Sequence, residues 1–150
     1  MKRIGSPVAS TFLGRMCFSG DVTELSAEQW KAIEDGMAFY KKAAPAIRDG
    51  YSYIYSHKGS SDRHLTDWQA VIRVQSEERK LYEGKHESAF VTAHIFHGEV
   101  PEKLVIDLPE GCPNTIAEVY APTAITAKVE GRQLIITPSE EMEAISVLLK

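Results

Sequence analysis

Cysteine is scarce in this chain. Only Cys17 and Cys112 occur among 150 residues, far apart and without a CxxC pair, which excludes a disulfide framework and the commonest structural zinc cages. The two read as small buried thiols in a reducing compartment, and the expected location is the cytoplasm. Long apolar runs are missing too. The longest stretches without Asp, Glu, Lys or Arg are eleven residues, 4–14 and 88–98, whereas a membrane-spanning helix needs about 20. Met1-Lys2-Arg3 and Val8-Ala9-Ser10 imitate the ends of a signal peptide, but Gly, Ser and Pro between them spoil the apolar centre that such a peptide requires. Neither sign of charge dominates: 17 Lys and Arg face 21 Asp and Glu, for a net charge of −4. Binding of nucleic acid or of an anionic membrane through bulk charge is therefore not expected.

The motifs of several enzyme classes are also absent. Gly5, Gly14 and Gly20 have the wrong spacing for a dinucleotide loop, and no GxSxG elbow or Walker sequence occurs. His94 and His97 have an HxxH look, yet residues three apart on a strand point to opposite faces and do not share one ion. Neither a cofactor nor a metal is expected.

What is present divides the chain near Gly50. Over 26–49 apolar residues recur at helical spacing: Trp30, Ile33, Met37, Tyr40, Ala44 and Ile47 form one stripe. Ser26-Ala27-Glu28-Gln29 reads as a capping box, with Leu25 and Trp30 as its hydrophobic staple. Pro45 is expected to kink or shorten this helix, and Gly50 to stop it in a left-handed conformation. Beyond Gly50, short runs rich in β-branched and aromatic residues follow one another at 51–57, 68–75, 89–97, 104–108, 116–120, 125–129, 134–137 and 144–149. Turn formers separate them at 59–62, 84–85, 109–111 and 131–132. Closely spaced strands without intervening helices predict antiparallel pairing in a two-sheet sandwich. The expected fold class is α+β, with 1–50 and 51–150 as its two parts. Residues 15–18 are expected as a lone strand that needs something to pack on.

Candidate chemistry is thin. Asp21 lies between that strand and the helix, where a β/α unit places substrate contacts, and is the one candidate substrate-binding residue; a turn cap or a favourable charge at the helix start would explain it equally. Tyr51, Tyr53 and Tyr55 share one strand face, fit either to pack between sheets or to stack on sugar rings. Cys17 next to a histidine would make a nucleophile only with further support, which the local sequence does not supply. No catalytic residue is assigned.

The run Gly14-Arg15-Met16-Cys17-Phe18-Ser19-Gly20-Asp21-Val22-Thr23-Glu24-Leu25-Ser26, with Phe39-Tyr40-Lys41-Lys42 and Ile47-Arg48-Asp49-Gly50, resembles the C-terminal part of α-galactosidases (melibiases) of glycoside hydrolase family 36 and its neighbours. The resemblance covers about residues 12–50. It implies that 15–18 is the last strand and 26–49 the last helix of a (β/α)8 catalytic barrel, followed by an antiparallel sandwich over 51–150. It further implies a parent that hydrolyses terminal α-galactosides. That family's nucleophile and acid/base aspartates lie on earlier barrel strands and have no counterpart here, so the chain alone is expected to be inactive. Three other readings compete: a sandwich that binds carbohydrate through the tyrosine row, a structural domain that self-associates through its exposed helix face, and an unrelated small enzyme using Cys17 or Asp21.

Overall fold

The computed structural model describes residues 2–17, 23–56, 66–75 and 88–150. The expected turns at 59–62 and 84–85, the strand end at Phe18, and Asp21 lie outside them. Two helices, α1 (Lys2–Thr11) and α2 (Ala27–Asp49), precede eight strands: β1 (Gly50–Ser56), β2 (Trp68–Gln75), β3 (Ala89–Ile95), β4 (Leu104–Asp107), β5 (Ile116–Tyr120), β6 (Thr126–Glu130), β7 (Gln133–Thr137) and β8 (Glu143–Leu149). The fold is α+β with antiparallel sheets. One sheet has the strand order β1-β2-β3-β8-β5 and the other β4-β7-β6.

Alternation along the central strands creates two cores. In β3, Ala89, Val91, Ala93 and Ile95 point towards the three-stranded sheet. They meet Ile145, Val147 and Leu149 of β8, Leu104 and Ile106 of β4, and Leu134 and Ile136 of β7. The intervening Phe90 of β3, with Ala144 and Leu148 of β8, points the other way, beneath α1 and α2. Both central strands are buried along their whole length, as strands covered on both faces must be.

The helical core centres on aromatic rings. Phe12, just beyond α1, has its ring centroid 5.3 Å from those of Phe39 and Tyr120 and 6.3 Å from that of Phe90. The described part of the segment 1–25, expected to need a packing partner, thus finds it in α2 and the outer face of the five-stranded sheet.

Four local expectations are corrected. First, α1 forms where no helix was expected. Gly5, Pro7, Ser6 and Ser10 weaken its intrinsic propensity, but Gly5, Val8, Ala9 and Phe12 fall on one buried face, so tertiary packing decides. Second, Arg15, Met16 and Cys17 lie in irregular chain; Met16 packs against the helical core, and among the described residues no strand pairs with this backbone. Third, the buried face of α2 is Ala32, Ile33, Gly36, Phe39, Ala43, Ala46 and Ile47, while Trp30 and Met37 are 40% and 41% exposed. Small residues let backbones approach closely, and that closeness outweighs the bulk of Trp30 and Met37. A Cβ on Gly36 would lie 2.5 Å from Val8 Cγ1. Fourth, α2 runs through Pro45 to Asp49, and Gly50 is extended (φ −89°, ψ 153°) rather than left-handed. The donor lost at Pro45 would have met the carbonyl of Lys41, an exposed residue that water can serve. Gly50 is needed for space, since a Cβ there would sit 2.3 Å from the carbonyl oxygen of Ala46. The capping box forms as expected: Ser26 Oγ accepts from Gln29 N at 3.3 Å, and Gln29 Oε1 accepts from Ser26 N at 2.8 Å.

Phe12→Ala is expected to cost about 3–5 kcal/mol, the usual loss for a buried phenylalanine. Gly36→Val is expected to cost about 1–3 kcal/mol by overpacking against Val8. Urea denaturation followed by circular dichroism measures both, and Trp30→Ala serves as the mild control.

Candidate functional site

The ionisable and aromatic groups singled out by sequence fall at separate places. Asp21 is outside the described residues, so its surroundings carry no statement. His94 and His97 part company. His97 lies beyond β3, 78% exposed, with Nδ1 2.7 Å from Glu141 Oε2. His94 is buried on the helix-facing side of β3, its Nε2 2.9 Å from Ser10 Oγ of α1 and its ring stacked on Phe96 at 6.0 Å. Ser10 Oγ also donates to the Ser6 carbonyl. Its single hydrogen is thereby used, which leaves Nε2 of His94 as the donor. Among the described residues no cluster of three or more metal-ligating side chains occurs.

Cys17 is exposed, contrary to the expected burial of both thiols, because it follows the irregular chain out of the helical core. Cys112 is buried, and burial pushes its thiol up to about 11. At neutral pH it is held as the protonated, weakly nucleophilic form.

Among the described residues two carboxylates, Asp49 and Glu143, are buried, and both are committed to holding the structure. Arg48 donates to both oxygens of Asp49 at the end of α2, holding its carboxyl below the ordinary range. Glu143, at the start of β8, accepts from Ser139 N at 2.6 Å, Ser139 Oγ at 2.8 Å, Glu140 N at 3.1 Å and Thr123 Oγ1 at 2.6 Å. It pins the loop before β8 to the loop between β5 and β6. Sequence reasoning missed Glu143, though a signal existed. It has the same parity as the inward-facing Ile145, Val147 and Leu149, and a charge in that register implies buried partners.

The tyrosine row lies on the sandwich side of β1. Tyr55 reaches across to the other sheet, donating to the Asp107 carbonyl at 2.9 Å, and partial burial with the nearby Asp107 raises its phenol above the ordinary value. Tyr51 and Tyr53 are 42% and 43% exposed. They sit opposite Val74 and Ile72 of β2, on the part of the five-stranded sheet that lies away from β8 and β5.

A second surface feature is an open groove of about 340 Å³ between α2 and β5, lined by Glu28, Lys31, Asp35, Glu118, Val119 and Pro122 among others. Lys31 pairs with Asp35 at 3.0 Å, and Lys42 beside the groove pairs with Glu118 at 2.6 Å. Its charges are thus largely satisfied internally. Tyr120, buried at its base, donates to the Ala32 carbonyl at 3.2 Å.

Burial lowers the pKa of His94 below its ordinary 6.5. The folded chain therefore binds fewer protons at this site than the unfolded chain. Stability is unaffected by His94 well above pH 6.5 and falls as pH drops below that value, by no more than about 1.36 kcal/mol per pH unit for one proton. Urea midpoints measured from pH 7.5 down to pH 5 are expected to decline, and His94→Gln to flatten the decline. Comparison with known proteins gave no relatives: no family model, no curated protein and no solved structure matches the chain.

Proposed function

We propose that this chain is the non-catalytic C-terminal part of a glycoside hydrolase acting on terminal α-galactosides. The observation that carries the reading is one of order along the chain. The segment that resembles the family, residues 12–50, contains the capping box of α2 and ends at Gly50. There the helix passes without a linker into eight antiparallel strands in two packed sheets. A terminal barrel helix followed by a sandwich is what the resemblance implies.

The chemistry of the described residues supports a supporting role. Retaining glycoside hydrolysis needs two carboxyl groups about 5–5.5 Å apart, free to donate a proton and to attack. Asp49 is locked by Arg48, and Glu143 accepts four hydrogen bonds. Neither is available for transfer chemistry. On this reading Asp21, which precedes α2 in the chain, is the residue proposed to contact the sugar in the intact enzyme. The exposed line of Trp30 and Met37 on α2 faces the neighbouring barrel elements. Among the described residues no helix is long and apolar enough to cross a membrane.

A second reading rests on the exposed rings of Tyr51 and Tyr53, which would let the sandwich bind carbohydrate without cleaving it. Calorimetric titration with a galacto-oligosaccharide separates the two: binding lost in Tyr53→Ala favours the binding module.

The purified chain is expected to give no turnover of a nitrophenyl α-galactoside. Joined to a family barrel that supplies the missing (β/α) units, it is expected to restore hydrolysis, and Asp21→Asn in that fusion to raise KM. Turnover by the chain alone, abolished by Asp21→Asn, would overturn the reading.

A further inference from the structure

The two helices grip the five-stranded sheet unequally. α2 buries eight residues, Phe39 and Ile47 among them. Among its described side chains α1 buries only Gly5, Val8 and Ala9, and Gly5, Pro7, Ser6 and Ser10 disfavour a helix there. An element with so few buried apolar contacts opens at a lower free energy than the core. α1 also covers an ionisable group. His94 of β3 is buried, with Nε2 2.9 Å from Ser10 Oγ. Burial disfavours the charged ring more than the Ser6 backbone, one turn earlier on α1, favours it.

Among the described residues no counter-charge faces this ring. Gln69 of β2 and Ala144 of β8 flank it in register. Glu143 stands opposite Ile95, whose side chain belongs to the sandwich core on the other face. His97 and Glu141 pair with each other beyond β3, and Arg73 of β2 donates to the Ile47 carbonyl. The charged residues of α1, Lys2 and Arg3, are both positive, so nearness of either would add to the cost of a charged ring. Phe96 stacks on His94 but comes from the same stretch of chain, so it accompanies the ring whether α1 is in place or not.

We propose that α1 is an acid-released cover, which leaves the sheet when His94 takes up a second proton while α2 and both sheets stay folded. Nε2 already carries a hydrogen towards Ser10, so the second proton goes to Nδ1. With α1 closed, the imidazolium has neither water nor a counter-charge. With α1 open, water solvates it, and proton uptake and opening therefore favour one another. Opening uncovers Gly36 of α2 and Pro122, against which Val8 and Gly5 lie. An exposed His94 has its ordinary pKa of 6.5. Between pH 7.5 and pH 5 the opening constant of α1 thus rises by at most about thirtyfold.

Hydrogen exchange of the full chain, resolved by residue with NMR and corrected for the intrinsic pH dependence of amide exchange, reads this opening. At pH 7.5 the amides of Val8, Ala9 and Ser10 are expected to be less protected than those of β3 and β8. By pH 5 they are expected to lose a further factor of about three to thirty, with the strands still at least about tenfold better protected. His94→Gln is expected to remove the pH dependence from the α1 amides. The unmodified chain gives a second measure that does not depend on how the variant folds. The α1 amide shifts are expected to titrate with the midpoint of the His94 ring. Protection of α1 that is independent of pH, or equally pH-dependent in a folded His94→Gln chain, overturns the proposal. So do α1 amides that exchange only as fast as those of β3, or a His94 ring that titrates without moving the α1 shifts.

Discussion

The ring of Phe12 holds the two ends of this fold together. It lies in a turn after a helix that the local sequence barely favours, and it is fully buried among Phe39 of α2, Phe90 of β3 and Tyr120 of β5. Without that ring the outer face of the five-stranded sheet has α2 as its main cover, and α1 loses its anchor. An isolated helix of ten residues is marginal in water, more so with glycine and proline inside it. α1 therefore exists because of the face it covers. The order of cause runs from sheet to helix: alternation in β3 and β8 creates a second apolar face, and α1 and α2 form and settle where they can bury it.

Polar groups within the fold serve the same end. Thr92 and Ser146 share a hydrogen bond at 2.8 Å beneath the helices. His94 meets Ser10 of α1, Arg73 Nη1 donates to the Ile47 carbonyl at 2.5 Å near the end of α2, and Glu143 gathers two loops. A buried polar group without a partner costs about 1–3 kcal/mol, so each of these pairings also selects one arrangement of helix on sheet over its slipped alternatives. Buried acids and bases are commonly read as candidate chemistry. Among the described residues their partners are the Arg48 guanidinium, backbone groups and small hydroxyls, which fixes their position.

The strands and the capped helix were legible because their signals are local. Runs rich in β-branched and aromatic residues marked all eight strands, and β2 and β5 begin and end where their runs do. Ser26 and Gln29 declare the start of α2 within four residues. The helical face was misread because periodicity rewards size. Trp30 and Met37 are far larger than Ala32 and Gly36, yet close packing against Val8 and Phe12 requires the small residues. That requirement involves α1, far away in sequence and itself of poor propensity, so no window around α2 contains it. Glu143 was hidden for a related reason: its partners Thr123 and Ser139 come from two different loops. The candidate substrate contact, Asp21, rests on position in the chain alone.

Exposure carries the remaining functional argument, and it is uneven. Among the described residues large apolar side chains reach solvent at several places, and two of these differ in kind. Trp30 and Met37 lie on a helix, a surface whose backbone is already satisfied and which another element can only cover by side-chain packing. Tyr53 and Ile54 lie on β1, a strand, whose successive side chains point to opposite faces. The first is suited to a neighbour of complementary shape that packs by side chains alone. The second offers the aromatic ring on which the carbohydrate-binding reading rests. Since α2 and β1 abut at Gly50 yet present these features through different atoms, both can be occupied at once.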